Sequence, residues 1–147
     1  MDLHIWSSAK ALAHRPDKPT YAIRIFSSWS TDQDKAPFLE IPLYVAVAQY
    51  VFDDNDTWPF RVTNGPKWFD EETAEAIIRD LAAHISRLEA LVVSCSREQN
   101  RSPAVAGALN VIFSLGQDPK ALHQKYEDSN RFVYETMVGV AQRMGLR

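Results

Sequence analysis

The amino-acid sequence predicts an α/β fold, a central, mainly parallel sheet flanked by helices, as one domain over residues 1–147. Three observations predict it. Residues 20–26 (TYAIRIF) and 44–52 (YVAVAQYVF) carry the β-branched and aromatic residues that suit strands. Ala74, Ile77, Ile78, Leu81, Ile85 and Leu88 recur at three- and four-residue steps, the buried stripe of an amphipathic helix. Residues 90–109 (ALVVSCSREQNRSPAVAGAL) read as an apolar strand, a tight loop and a small-residue helix in succession. At 147 residues the chain can bury roughly two-thirds of its unfolded surface without covalent staples.

Composition narrows the function classes. One cysteine and four scattered histidines exclude a disulfide framework and offer no zinc spacing, which suits a reducing cytoplasm. The opening residues MDLHIWSSAKALAHRPDK are neither a signal peptide nor a span of the ~20 apolar residues a bilayer requires, so a soluble, cytoplasmic protein with no membrane partner is expected. Net charge is −3, so no global basic field draws the chain to nucleic acid. Any anion site must be local.

Taken in order, Leu3-His4-Ile5-Trp6 alternates like a short strand, and Ser7 or Ser8 caps a brief helix over residues 9–13 before Arg15-Pro16 breaks it. The strand at 20–26 closes on Ser27 and Ser28, and its partner at 44–52 follows a polar surface loop at 30–35. That partner ends at the acidic cluster Asp53, Asp54 and Asp56, and strand ends are where catalytic loops sit. Trp58 and Trp68 bracket an insertion centred on the turn signal Asn64-Gly65-Pro66, where tryptophans more often pin a loop down than form an aromatic wall for a phosphotyrosine ring or nucleobase; its Arg61 and Lys67 read as solvated charges rather than phosphate contacts. Asp70 caps the amphipathic helix, with Glu71 and Glu72 favourable against its dipole, and the stripe carries it to about residue 89, with His84 on its surface. Beyond residue 109, Gly116 ends one element, Asp118-Pro119 starts another through about Tyr126, and Ser129 or Asn130 begins a final helix ending near Met144 with Val133, Met137 and Val140 in the core.

The chemistry concentrates between Cys95 and Arg101. Ser102 fits an N-cap and Pro103 the first helical position, so the helix is expected to begin directly after Arg101. A loop ending in a helix N-terminus aims backbone N–H groups and the positive end of a dipole at one point, which suits phosphate or sulfate. The same field and the Arg101 guanidinium favour the Cys95 thiolate, the nucleophilic form.

This stretch, a cysteine, five residues, an arginine and a serine, resembles the active-site loop of cysteine-dependent protein phosphatases, and specifically their compact dual-specificity branch. Arg101-Ser102-Pro103-Ala104-Val105 and the small-residue helix are similar to that branch, as is Phe52-Asp53-Asp54 upstream. Asn130, Val133 and Tyr134 look similar to the terminal helix of its small bacterial and phage members. The low-molecular-weight phosphatases place their loop at the extreme N-terminus, whereas this one lies two-thirds along the chain. The resemblance implies a phosphomonoester hydrolase acting on a phosphorylated protein or small phosphomonoester. Cys95 would take the phosphoryl group, Arg101 would clamp two of its equatorial oxygens, and Ser102 would hydrogen-bond the leaving thiolate. Ser96, Arg97, Glu98, Gln99, Asn100 and Arg101 would line the phosphate. Asp54, weighted over Asp53 and Asp56, would be the general acid. Water would release the phosphate, so neither metal nor cofactor is implied.

Departures from the pattern bear on activity. Ser94 stands where the family has histidine, and one contribution to thiol activation is missing. Glu98 replaces a glycine beside the anion and would repel it unless turned to solvent or paired with Arg97. Asn100 replaces the serine often found before the arginine. Asp54 stands 41 positions ahead of Cys95, longer than the family's spacing of about thirty, and the Trp58-to-Trp68 insertion accounts for the excess. Two alternatives stay open: a pseudophosphatase that binds a phosphorylated partner or ligand without useful turnover, and a rhodanese-like sulfurtransferase, which also sets a cysteine loop before a helix.

Overall fold

A computed structural model describes residues 1–32, 35–38, 41–53, 67–96 and 100–146. Its four strands, β1 (Asp2–Ser7), β2 (Thr20–Phe26), β3 (Tyr44–Val51) and β4 (Ala90–Cys95), form one sheet in the order β1-β4-β2-β3. Every pairing is parallel, so the mainly parallel expectation becomes a wholly parallel sheet among the described strands. Parallel pairing gathers the carboxyl ends on one edge: Ser7 lies opposite Cys95, and Phe26 opposite Val51. That edge is where open α/β sheets place their ligands.

Alternation along the strands builds two cores. Ile5, Tyr21, Ile23, Ile25, Leu91, Val93 and Cys95 face a large cluster shared with α2 (Glu71–Ala82), α3 (Arg101–Phe113) and α5 (Arg131–Arg143). Ala22 and Val92 face the other way, against Ala11 of α1 (Ser8–Ala13), with Trp6, Phe38 and Tyr44 around them. The sheet thus lies between helices on both faces.

In α3 every residue except Val111 and Phe113 is buried, which explains its small-residue composition: it packs on the sheet, on α5 and on α4 (Pro119–Lys125) at once. On α2 the stripe works as read, since Ala74, Ile77, Ile78 and Leu81 are fully buried. Each of the larger side chains contributes about 2–3 kcal/mol by leaving water. Helix starts follow the capping residues. Ser7 accepts from Lys10 N (3.3 Å), Asp70 from Thr73 N (2.8 Å), Asp118 from Lys120 N (3.0 Å) and Asn130 from Val133 N (3.1 Å).

Two boundaries differ from expectation. The amphipathic helix stops at Ala82 rather than continuing to residue 89, and a 3₁₀ turn over Ile85–Arg87 follows. Three-residue spacing suits a 3₁₀ turn as well as an α-helix, so the apolar stripe runs on through the break. There His84 N donates to Leu81 O (2.9 Å) and Leu88 remains buried, while the His84 ring lies half-buried 5.4 Å from that of Tyr21 rather than on the surface. The second difference is the start of α3, which includes Arg101 and places Asn100, not Ser102, at the cap position. The Asn100 carbonyl accepts from Asn130 N (2.9 Å), tying the loop to the start of α5. Among the described residues no helix is long and apolar enough to cross a membrane.

Candidate active site

The site is built at the carboxyl edge by three strand ends and one helix start. Cys95 is the last residue of β4 rather than the first of the loop, so strand alternation fixes its side chain toward α3. After five intervening residues α3 begins. Its first-turn N–H groups lack intrahelical partners, and its dipole turns a positive end toward the loop. Pro103, the third residue of the helix, has no N–H to leave unsatisfied there.

Cys95 and Ser102 are brought together. The Cys95 thiol donates to Ser102 Oγ at 3.2 Å, and both residues are buried. When the sulfur is a thiolate the same contact runs in reverse, with the Ser102 hydroxyl donating to sulfur. Ser102 is therefore a partner of the thiol rather than the helix cap expected from sequence.

Arg101 is also buried, at 6% exposure, and reaches across the strand ends. Its Nη1 donates to Ser27 Oγ (2.8 Å), just past β2, and to the Phe52 carbonyl (2.9 Å), just past β3. Both bonds use one nitrogen of a group that carries five N–H donors in a planar fork.

Ser94 points to the opposite face of the sheet, in register between Arg24 of β2 and Trp6 of β1. Its hydroxyl is on the wrong side to act on the Cys95 sulfur. Arg24, whose pKa burial pushes down, stacks over Phe38 (4.4 Å) and Phe26 (4.9 Å) on that face. Ser96 is exposed and Asn100 half-buried at the two ends of the loop. Arg97, Glu98 and Gln99 lie outside the described residues, as do Asp54, Asp56, Trp58, Arg61 and the Asn64-Gly65-Pro66 turn.

No family model matches the chain, and no curated protein matches it. Among solved structures it is similar to the crystal structure of Tk-PTP in the active form, at 15% sequence identity and a TM-score of 0.49, over 85% of this chain and 80% of that one.

Sequence reasoning missed the groups that hold the site from behind. Asp53, weighed only as a rival acid, is 1% exposed and accepts from two backbone amides, Ser28 N (2.8 Å) and Lys67 N (2.7 Å). Its own amide donates to Lys67 O (2.7 Å). Ser27, read as a turn residue, is the side-chain acceptor for Arg101 and receives a second constraint from Ser30, whose Oγ accepts from Ser27 N (2.9 Å). One signal was present: Ser27 lies one residue past β2 and Asp53 two residues past β3, at the edge of a parallel sheet where a ligand belongs.

Proposed function

We propose that residues 1–147 form one domain that acts as a cysteine-dependent phosphomonoester hydrolase of the dual-specificity-like kind, in the cytoplasm, on a phosphorylated protein or small phosphomonoester. The observation that carries this reading is the pairing of Cys95 Sγ with Ser102 Oγ at 3.2 Å, at the start of a helix whose first residue is a buried arginine.

In this reaction the Cys95 thiolate attacks phosphorus as the bond to the leaving oxygen breaks. Asp54 gives that oxygen a proton, so an alcohol or phenol departs. Arg101 and the loop N–H groups, from Ser96 to Arg101, hold the equatorial oxygens, where charge is spread in a loose transition state. Water then attacks the phosphocysteine, the S–P bond breaks, and Ser102 donates to the departing thiolate. The water's proton passes to Asp54, and inorganic phosphate leaves. Each step uses protein groups and water.

A second reading, a binding module with slow chemistry, is favoured by Ser94. Its neutral hydroxyl carries no positive charge to favour the thiolate, so it cannot supply the activation that the family's histidine gives. Release of phosphate from a generic aryl phosphate by wild type, Cys95→Ser and Asp54→Asn, across about pH 5 to 8, separates the two. The hydrolase reading expects no turnover from the serine variant and a weakened, pH-shifted rate from the asparagine variant. Absence of turnover in all three, with phosphate still protecting Cys95 from alkylation, selects the binding module.

A further inference from the structure

We propose that Asp53 is the positioning residue for Arg101. The inference rests on the hydrolase reading, in which Arg101 holds the phosphoryl oxygens. It concerns what aims that guanidinium.

Arg101 Nη1 has two acceptors, Ser27 Oγ and the Phe52 carbonyl, and Asp53 fixes the backbone at each of them. On the first side, Asp53 Oδ1 accepts from Ser28 N at 2.8 Å, which locks the peptide unit joining Ser27 to Ser28. On the second, the Phe52 carbonyl and the Asp53 amide belong to one planar peptide unit. Its N–H end is held on Lys67 O at 2.7 Å, while Asp53 Oδ2 accepts from Lys67 N at 2.7 Å. One buried carboxylate thus ties together the chain after β2, the chain after β3 and the strand of backbone at Lys67. Asp53 and Arg101 form no ion pair with each other, so the influence passes through these neighbours.

The chemistry explains why an aspartate stands there. Two amides converge on its two oxygens, and only a carboxylate accepts at both; an asparagine would turn an NH₂ group against one of them. Asp53 is 1% exposed, so an asparagine there would set its NH₂ group against an amide N–H at a buried position, and the two contacts that hold the Ser28 and Lys67 backbone in place could not both survive. With the clasp opened, both acceptors shift, and Arg101 loses its aim before it loses its charge.

The test is protection of Cys95 from alkylation by inorganic phosphate, read in wild type, Asp53→Asn and Ser27→Ala, and repeated for Asp53→Asn in an Arg101→Ala background. Phosphate affinity is expected to fall roughly tenfold or more in Asp53→Asn and by a smaller factor in Ser27→Ala, which keeps the fold by removing one hydroxyl. In the Arg101→Ala background, Asp53→Asn is expected to change affinity less than about twofold, because there is no guanidinium left to aim. Unchanged affinity in Asp53→Asn overturns the proposal. So does an undiminished loss in the Arg101→Ala background, which would make Asp53 a general structural residue. Should Asp53→Asn fail to fold, Ser27→Ala decides, and wild-type affinity in that variant overturns the proposal. Failure of the wild type itself to bind phosphate removes the hydrolase reading along with this one, and that outcome is visible before any variant is made.

Discussion

Replacing Arg101 by methionine separates an anion-binding arginine from a structural one. The substitution keeps the apolar stem and removes the charge. Two hydrogen bonds from the guanidinium are lost, to Ser27 Oγ at 2.8 Å and the Phe52 carbonyl at 2.9 Å. Bonds from a charged donor are worth about 1.5–3 kcal/mol each, so the gross loss is about 3–6 kcal/mol. Against this stands the desolvation of a guanidinium only 6% exposed, whose removal returns several kcal/mol. The net expectation is a destabilisation of about 0–2 kcal/mol, which for a chain of this size lowers Tm by no more than about 6 °C. Phosphate binding changes far more. At a phosphate concentration about 100 times Kd, wild type gains about 2.7 kcal/mol and its Tm rises by several degrees. The variant, binding phosphate about 100-fold more weakly, is expected to gain no more than about 0.4 kcal/mol at the same concentration. Thermal melts by circular dichroism, with and without phosphate and under reducing conditions, read both quantities. A variant that melts more than about 10 °C below wild type, beside a wild type indifferent to phosphate, would make Arg101 a structural clamp and refute the reasoning.

Three further outcomes follow from the packing and the site. Ser102→Ala removes the hydroxyl 3.2 Å from Cys95 Sγ and is expected to slow release of phosphate about tenfold while leaving an initial burst of the alcohol product; a burst slowed equally would place Ser102 in the first step as well. Tyr21 is pushed up to about 12 by burial, opposed by a hydrogen bond with Tyr50. Its folded state therefore keeps a proton that the unfolded chain releases near pH 10, and its contribution to stability is present below about pH 10 and lost as pH rises toward 12. Urea melts across that window should show the decline in wild type and a shallower one in Tyr21→Phe, and equal slopes would contradict the assignment. At Gly107 a methyl group would lie 3.7 Å from the Tyr134 ring, an ordinary contact, so Gly107→Ala is expected to stabilise the protein by about 0.5–1 kcal/mol through helix propensity. A fall in the urea midpoint would mean that α3 and α5 have no room for it.

The parts of the molecule that local chemistry decides were legible. Thr20–Phe26 is a strand with the bounds its β-branched and aromatic run implies; Asp70 and Asp118 cap the helices they were read to start, and of the open pairs Ser7/Ser8 and Ser129/Asn130 it is Ser7 and Asn130 that cap. Cys95 and Ser102, only seven positions apart in the chain, meet through the bond from the Cys95 thiol to Ser102 Oγ. Contacts between distant segments were not legible. The serine that receives Arg101 is 74 positions away, and the amides that occupy Asp53 lie 25 and 14 positions from it. Nothing in the local pattern distinguishes Asp53, bonded and buried, from an acid facing solvent. The overrun of α2 has the same origin, since the packing of His84 on Tyr21 joins residues from separate elements. Periodicity records which side chains are buried, and that record is unchanged when the backbone tightens from an α-helix to a 3₁₀ turn.

Whether Cys95 becomes covalently phosphorylated can be read directly by mixing the reduced protein with an aryl phosphate, quenching in acid within the first turnovers and weighing the peptide that contains Cys95. A phosphocysteine intermediate predicts a fraction of that peptide heavier by one phosphoryl group. That fraction should be larger in Ser102→Ala, where the sulfur leaves slowly, and absent in Cys95→Ser. Phosphate release without any phosphorylated Cys95 peptide, in wild type and Ser102→Ala alike, would contradict the role assigned to the only cysteine in the chain.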